Sequence, residues 1–143
     1  MALALDEARA AGARGEVPIG AVVCAPDGKV LAQAGNQTLE RRDPTAHAEI
    51  LVIRAACAAL GSERLPGCRL YVTLEPCPMC ASAISQARIA VLIYGASDPK
   101  SGGVEGGPRV FTHPQSHHVP EIVNGIGEVE AAALLRSFFA ARR

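Results

Sequence analysis

The chain is predicted to be an α/β protein, a sheet covered by helices on both faces. Three observations carry that expectation. Segments with helical spacing of apolar residues alternate with short β-rich runs along 143 residues. Turn and stop signals separate them, and no internal repeat or linker interrupts the order. Apolar residues make up 49% of the chain, enough for a real core and too many for disorder. The chain is therefore read as one domain spanning residues 1–143.

Each element follows from local signals. Residues 2–13 are alanine-rich and amphipathic, a helix ending near Gly12 or Gly15. Ile19–Ala25 reads as a strand, "PDGK" at 26–29 as a turn, and Val30–Ala34 as the returning strand of a hairpin. Residues 46–60 carry Ile50, Val52, Ile53, Ala56 and Leu60, a buried helix stopped by Gly61. Arg69–Leu74 is a strand, Pro78–Ala87 a short helix, and Ile89–Tyr94 a buried strand. Ser97–His118 is rich in glycine, proline and histidine and reads as a long connection. Glu121–Val123 is a short last strand, and Val129–Arg142 closes the chain as a helix.

Charge and cysteine content narrow the classes. Fourteen basic residues balance fourteen acidic ones, so no global field announces a nucleic-acid partner and any such binding needs a local patch. The apolar run "MALAL" is cut short by Asp6 and Glu7, so neither a signal peptide nor a membrane span is expected. Met1 falls directly into a helical pattern with no cap before it, so either residues precede it or the helix frays there. A cytoplasmic location follows, where disulfides are rare and the five cysteines are thiols or metal ligands.

The stretch "DPTAHAEI", residues 43–50, places His47 and Glu49 at the head of a buried helix. Two helical residues turn through about 200°, so the pair is no surface ion pair of the spacing-four kind. An ordinary reading exists. Asp43 or Thr45 would cap the helix, Pro44 would start it, and Glu49 would be a first-turn acid favoured by the dipole. A second stretch, "LEPCPMC", sets Cys77 and Cys80 three apart at another helix start, with Pro78 where its missing N–H costs nothing. In a cytosolic chain such a pair is a redox couple, a metal site or two structural thiols. Cys24, Cys57 and Cys68 suit the inert structural role better.

Taken together the two stretches favour metal. His47, Cys77 and Cys80 supply one imidazole and two thiolates, a three-ligand zinc set that leaves a fourth position for water. All three stand at helix N-termini, where dipoles favour thiolates. Glu49 is then the proton carrier beside an activated water. H-x-E followed by P-C-x-x-C is the pattern of zinc deaminases.

The resemblance extends along nearly the whole chain, from about Gly15 to Arg142. "GEVPIGAVV", "GNQTLERRDPTAHAEI", "LYVTLEPCPMC", "ARIAVLIYGASDPKSGG" and "LLRSFF" resemble the bacterial tRNA-specific adenosine deaminase family. The resemblance implies a three-layer αβα cytidine deaminase-like fold with a five-stranded mixed sheet. It implies hydrolytic conversion of adenosine to inosine at the wobble position of a tRNA anticodon, typically an arginine tRNA. It implies a homodimer with one Zn2+ per subunit and no organic cofactor. Carried over by motif, His47, Cys77 and Cys80 bind zinc. Glu49 moves a proton from water to adenine N1 and then to the leaving amine.

Asn36 falls where the family holds a nucleoside-contacting asparagine, and Asp98 where it keeps an aspartate near the substrate backbone. Ala48, Lys100, Phe138, Phe139, Arg142 and Arg143 complete the expected substrate surface. Adjacent helix positions are about 100° apart, so one phenylalanine is expected to pack inward and the other to face RNA. Pro18, Ile19 and Ala21 are either pocket walls or plain core.

Some features depart from the family. His117-His118-Val119 stands where many relatives have Asn-His-Arg, and Ser97 where arginine is common. His113, His117 and His118 raise a second metal site, but their loop-like flanks favour exposed or RNA-facing histidines. Two other functions stay open: deamination of a free base such as guanine or cytosine, and a non-catalytic zinc-binding protein. Glu49 argues against the latter, since structural zinc sites have four protein ligands and need no proton carrier.

Overall fold

The computed structural model describes residues 1–143. The elements are α1 (Ala2–Ala13), β1 (Gly20–Cys24), β2 (Val30–Gly35), α2 (Ala48–Leu60), β3 (Arg69–Leu74), α3 (Pro78–Gln86), β4 (Val91–Ala96), β5 (Glu121–Val123) and α4 (Glu128–Ala140). The strands form one sheet in the order β2-β1-β3-β4-β5. β1 runs antiparallel to β2 and β3, and β3, β4 and β5 run parallel, so the sheet is mixed. Helices α1 and α4 cover one face, and α2 and α3 cover the other. This is the expected three-layer cytidine deaminase-like arrangement.

The main core lies between the sheet and the α2–α3 layer. Val52, Ala56, Ala81 and Ile84 pack there against Val23, Leu70, Val72, Leu92 and Tyr94. A smaller cluster of Leu5, Ala96 and Ala131 joins α1 and α4 on the opposite face. Four of β1's five residues are buried because helices cover both its sides. Helix α1 approaches the hairpin very closely. A Cβ on Gly20 would lie 2.0 Å from the Ala4 carbonyl oxygen, and one on Gly35 would lie 2.7 Å from that of Glu7. Small residues at both sites let the alanine-rich helix lie directly on the strands.

Two boundaries differ from the sequence expectation for identifiable reasons. Helix α2 begins at Ala48, and its N-cap is His47, which keeps extended φ −71°, ψ 152°. Neither Asp43 nor Thr45 caps it. The Asp43 carboxylate is occupied locally, accepting from the Thr45 N–H at 2.8 Å and hydroxyl at 2.7 Å. Strand β4 starts at Val91, two residues late, and runs on to Ala96. Its parallel register with β3 pairs Arg69 with Val91 and Leu74 with Ala96, whereas Ile89 is still hydrogen-bonded to the end of α3. The long connection after β4 holds only one turn of 3-10 helix, Val110–Thr112.

Candidate active site

Parallel strands β3 and β4 end on the same edge of the sheet, where α/β folds place their ligand sites. From that edge β3 runs through Glu75 and Pro76 into Cys77, the extended N-cap of α3. Pro78 takes the first helical position, and Cys80 follows in the first turn. The start of α2 reaches the same place. His47 Nδ1 lies 3.6 Å from Cys77 Sγ and 3.5 Å from Cys80 Sγ, and all three ligand atoms lie within 4.8 Å of one another. Zinc bonds of about 2.0–2.3 Å in a tetrahedron set nitrogen and sulfur roughly 3.5 Å apart, so the spacing fits. No other group of three candidate ligands exists in the chain.

The site's electrostatics follow from sharing protons in a half-buried space. The Cys77 thiol is held down to about 4, first by its hydrogen bond with Cys80 and further by His47, against the opposing effect of burial. Cys80 is pushed up, first by that same bond and then by burial. His47 is raised, first by its bond to Cys77. Glu49 is 4% exposed, and burial first of all pushes its carboxyl up to about 7.

A cavity of about 610 Å³ opens over these groups. His47, Cys77 and Glu49 form part of its wall, together with Asn36, Asp98, Lys100, Phe139 and Arg143. Five of the eight expected substrate residues are thus brought to the cavity. Ala48 is fully buried behind it, and its N–H donates to Asn36 Oδ1 at 2.9 Å. Asn36, from the end of the hairpin, therefore satisfies a free N–H in the first turn of α2. Phe138 and Arg142 also lie outside the wall. The Arg142 guanidinium stacks 3.5 Å over the Phe138 ring and donates to the Phe138 carbonyl. Phe138 meets Phe139 edge-to-face with centroids 5.3 Å apart. Phe139, 48% exposed, faces the cavity, whereas Phe138 is only half-buried and is covered by Arg142.

The apolar wall also differs from expectation. Val17 and Ile19 line the cavity, while Pro18 turns towards Gly12 of α1 and Ala21 enters the main core. Alternation along an extended segment turns Pro18 to the side opposite Val17, Ile19 and Ala21, and Ala21 lies deeper on that shared side, in the core against which Ile19 also packs. The histidines of the long connection do not converge. His113 bonds the Pro108 carbonyl, His118 bonds the Ile89 carbonyl, and His117 is exposed.

Sequence reasoning missed two buried carboxylates that shape the rim. Glu16 accepts from the Thr38 hydroxyl and from the N–H groups of Leu39 and Glu40. Glu75 accepts from the N–H groups of Asp98, Val104, Glu105 and Gly106. Burial opposes ionisation of both, yet these donors hold both below the usual carboxylate range. The one available signal in the sequence was an acid placed beside apolar residues, as in "LEPC".

Fold and site together define a hydrolytic deaminase of the cytidine deaminase-like class. The model of the MafB19-like deaminase family matches residues 1–143. The chain is 62% identical over 143 residues to the tRNA-specific adenosine deaminase of Agrobacterium fabrum, covering all of this chain and 93% of that one. A solved structure from studies of A-to-I editing by tRNA:A34 deaminases at the wobble position superimposes with a TM-score of 0.92. It is 62% identical and covers 94% of this chain and 97% of that one. The guanine deaminase of Nitrosomonas europaea has a TM-score of 0.83 at 25% identity, over 97% of this chain and 82% of that one. The chain belongs to the tRNA-specific adenosine deaminases within the MafB19-like deaminase family. No helix is long and apolar enough to cross a membrane.

The Glu16 carboxylate makes stability pH-dependent. Its folded pKa lies below the ordinary value, so folding favours the ionised form. That contribution is complete above the unfolded value of roughly 4.3 and is lost as pH falls through the folded value. The stability difference between wild type and Glu16→Gln, measured by urea unfolding, should therefore shrink between about pH 7 and about pH 3. A difference constant across that range would place the stabilisation elsewhere.

Proposed function

We propose that the chain converts adenosine to inosine at the wobble position of a tRNA anticodon by hydrolysis, releasing ammonia. One observation carries the reading: a buried glutamate two residues from the histidine of a His–Cys–Cys set, in one cavity with cationic and aromatic groups at its rim. The relatives named as tRNA-specific adenosine deaminases supply the substrate.

The donor set and its spacing suit zinc, one ion per subunit, held by His47, Cys77 and Cys80. When bound, zinc supplies Lewis-acid activation of the attacking water. Glu49 moves the protons. It takes one from the water and delivers it to adenine N1, which makes C6 electrophilic. It then takes the second proton of that water, from the oxygen now bonded to C6, and gives it to the amine, which leaves as ammonia as the C6–N bond breaks. Asn36, with its carbonyl oxygen committed to Ala48, keeps its NH2 as a donor for the purine. Leu74, Val17 and Ile19 exclude water around the base. Phe139 offers a stacking face for a splayed nucleotide, and Lys100 and Arg143 offer charge to phosphates. Ala48, Phe138 and Arg142 act behind these groups.

Replacing Glu49 by Gln keeps shape and polarity but removes the proton carrier. The variant should retain metal and lose turnover by at least roughly 10²–10⁴-fold. Purified wild type should contain about one zinc per chain, and Cys77→Ala or Cys80→Ala should lose it. Active protein free of zinc, or near-normal turnover in Glu49→Gln, would overturn the assignment. The decisive assay offers a panel of tRNAs bearing adenosine at the first anticodon position, an arginine tRNA among them, beside free guanine, cytosine and adenosine. Faster turnover of free guanine would replace the tRNA reading by the free-base one.

The two terminal arginines should differ. Arg143→Ala should raise KM for tRNA and flatten its salt dependence, because phosphate contacts release counterions. Arg142→Ala should affect KM less, since Arg142 is spent on Phe138. Equal effects would return both to the RNA surface.

The homodimer is proposed on the α2–α3 face. Ile50, Ile53, Met79 and Ala83 border a shallow groove there, and Met79 is 36% exposed. A two-fold pair would cover this surface with its own copy. Ile53→Glu should convert a dimer to a monomer by sedimentation analysis; a wild-type monomer would refute the dimer. A cytoplasmic location is part of this proposal, supported by the tRNA substrate in the names of its relatives.

A further inference from the structure

Glu75 makes no contact that the chemistry above uses, yet it is almost completely buried at the cavity wall. Its Oε1 accepts the Asp98 N–H at 3.1 Å. Its Oε2 accepts the N–H groups of Val104, Glu105 and Gly106 at 3.1, 3.0 and 3.2 Å. One carboxylate thus closes residues 98–106 into a ring seated on the segment that leads into Cys77. The fit leaves no slack. A Cβ on Gly102 would lie 2.5 Å from Glu75 Oε2, and one on Gly103 would lie 2.6 Å from the Pro78 nitrogen at the start of α3.

The ring carries the cavity's polar rim. Asp98 Oδ1 accepts the N–H groups of Lys100 and Ser101 at 3.1 and 3.0 Å, and all three residues line the cavity. Its far side is tied down as well. The Glu105 carboxylate accepts from the Tyr94 hydroxyl and the Asn124 amide, just before α4 and its Phe139. We propose that Glu75 is a positioning residue for the polynucleotide: by fixing residues 98–106 it presents Asp98, Lys100 and Ser101 to the tRNA backbone before binding. The proposal rests on the tRNA reading of the site. Its physical content is preorganisation, since a rim ordered in advance loses less freedom on binding.

Glu75→Gln is the discriminating variant. With its remaining oxygen kept on Val104, Glu105 and Gly106, the new NH2 must face the Asp98 N–H, donor against donor, and that end of the ring is released. Zinc content should stay at that of the wild type, and hydrogen exchange across 97–106 should quicken. KM for tRNA should rise roughly tenfold while kcat per bound zinc falls less than about twofold, the split expected of lost preorganisation. A merely structural role would lower the active fraction and leave KM alone. Unchanged exchange, an unchanged KM, or a fall confined to kcat would each overturn the proposal. If Glu75→Gln does not fold, Glu75→Asp keeps the charge, shortens the reach and is read by the same ratio. Wild-type failure on tRNA would sink the substrate reading itself, a result separate from the ratio of variant to wild type.

Discussion

His47 and Cys77 are both extended residues immediately before a helix, and the α2–α3 layer holds their ligand atoms 3.6 Å apart. The rest of the molecule is arranged around that meeting. Two helix starts bring free N–H groups and the positive ends of two dipoles to one point, an environment that favours thiolates. The sheet edge formed by parallel β3 and β4 delivers α3 to this point, and the hairpin delivers Asn36, which holds the start of α2 in place. A shift of either helix along its axis would separate the donors by more than any metal bond tolerates.

Around this centre the walls are built with buried carboxylates that accept backbone N–H groups. Glu16 orders residues 38–40 on one side, and Glu75 orders 98–106 on the other. Loops without secondary structure of their own must satisfy their N–H groups somewhere. An ionised acceptor reaching several of them at once makes such a loop rigid without a helix or strand. That rigidity suits a substrate whose target base has to leave its stack, because the protein then spends no ordering entropy on its own rim.

The closing helix shows how charge is apportioned in a protein with no net charge. Arg142 folds back over Phe138, and Arg143 reaches the cavity where Phe139 also stands. Neighbouring residues of the same type thus do different jobs, one pair bracing and one pair facing outwards. For the phenylalanines the separation follows from helix geometry, which turns adjacent side chains about 100° apart. The arginines lie beyond Ala140, where α4 ends two residues short of the expected Arg142.

The candidate centre was legible in the sequence because its residues come in short local motifs. H-x-E and P-C-x-x-C each sit within one helix start, so His47, Glu49, Cys77 and Cys80 could be named from spacing and residue type. The order of strands and helices was legible for the same reason, being written in hydrophobic period and in turn residues such as "PDGK". Where elements begin was less so. Strand β4 starts at Val91 because its partner β3 starts at Arg69, and α2 lacks a cap at Asp43 because that carboxylate is taken by Thr45. Rim residues such as Asp98 and Lys100 were expected from the sequence, but the carboxylates that hold the rim in place were not. Glu75 finds its donors 23 to 31 residues away and Glu16 its own 22 to 24 away, and a carboxylate's use of distant backbone N–H groups leaves no mark on residue type. Local motifs marked the candidate centre; only the folded chain decided which loops wall it, because those contacts join a carboxylate to distant main-chain N–H groups that every sequence shares.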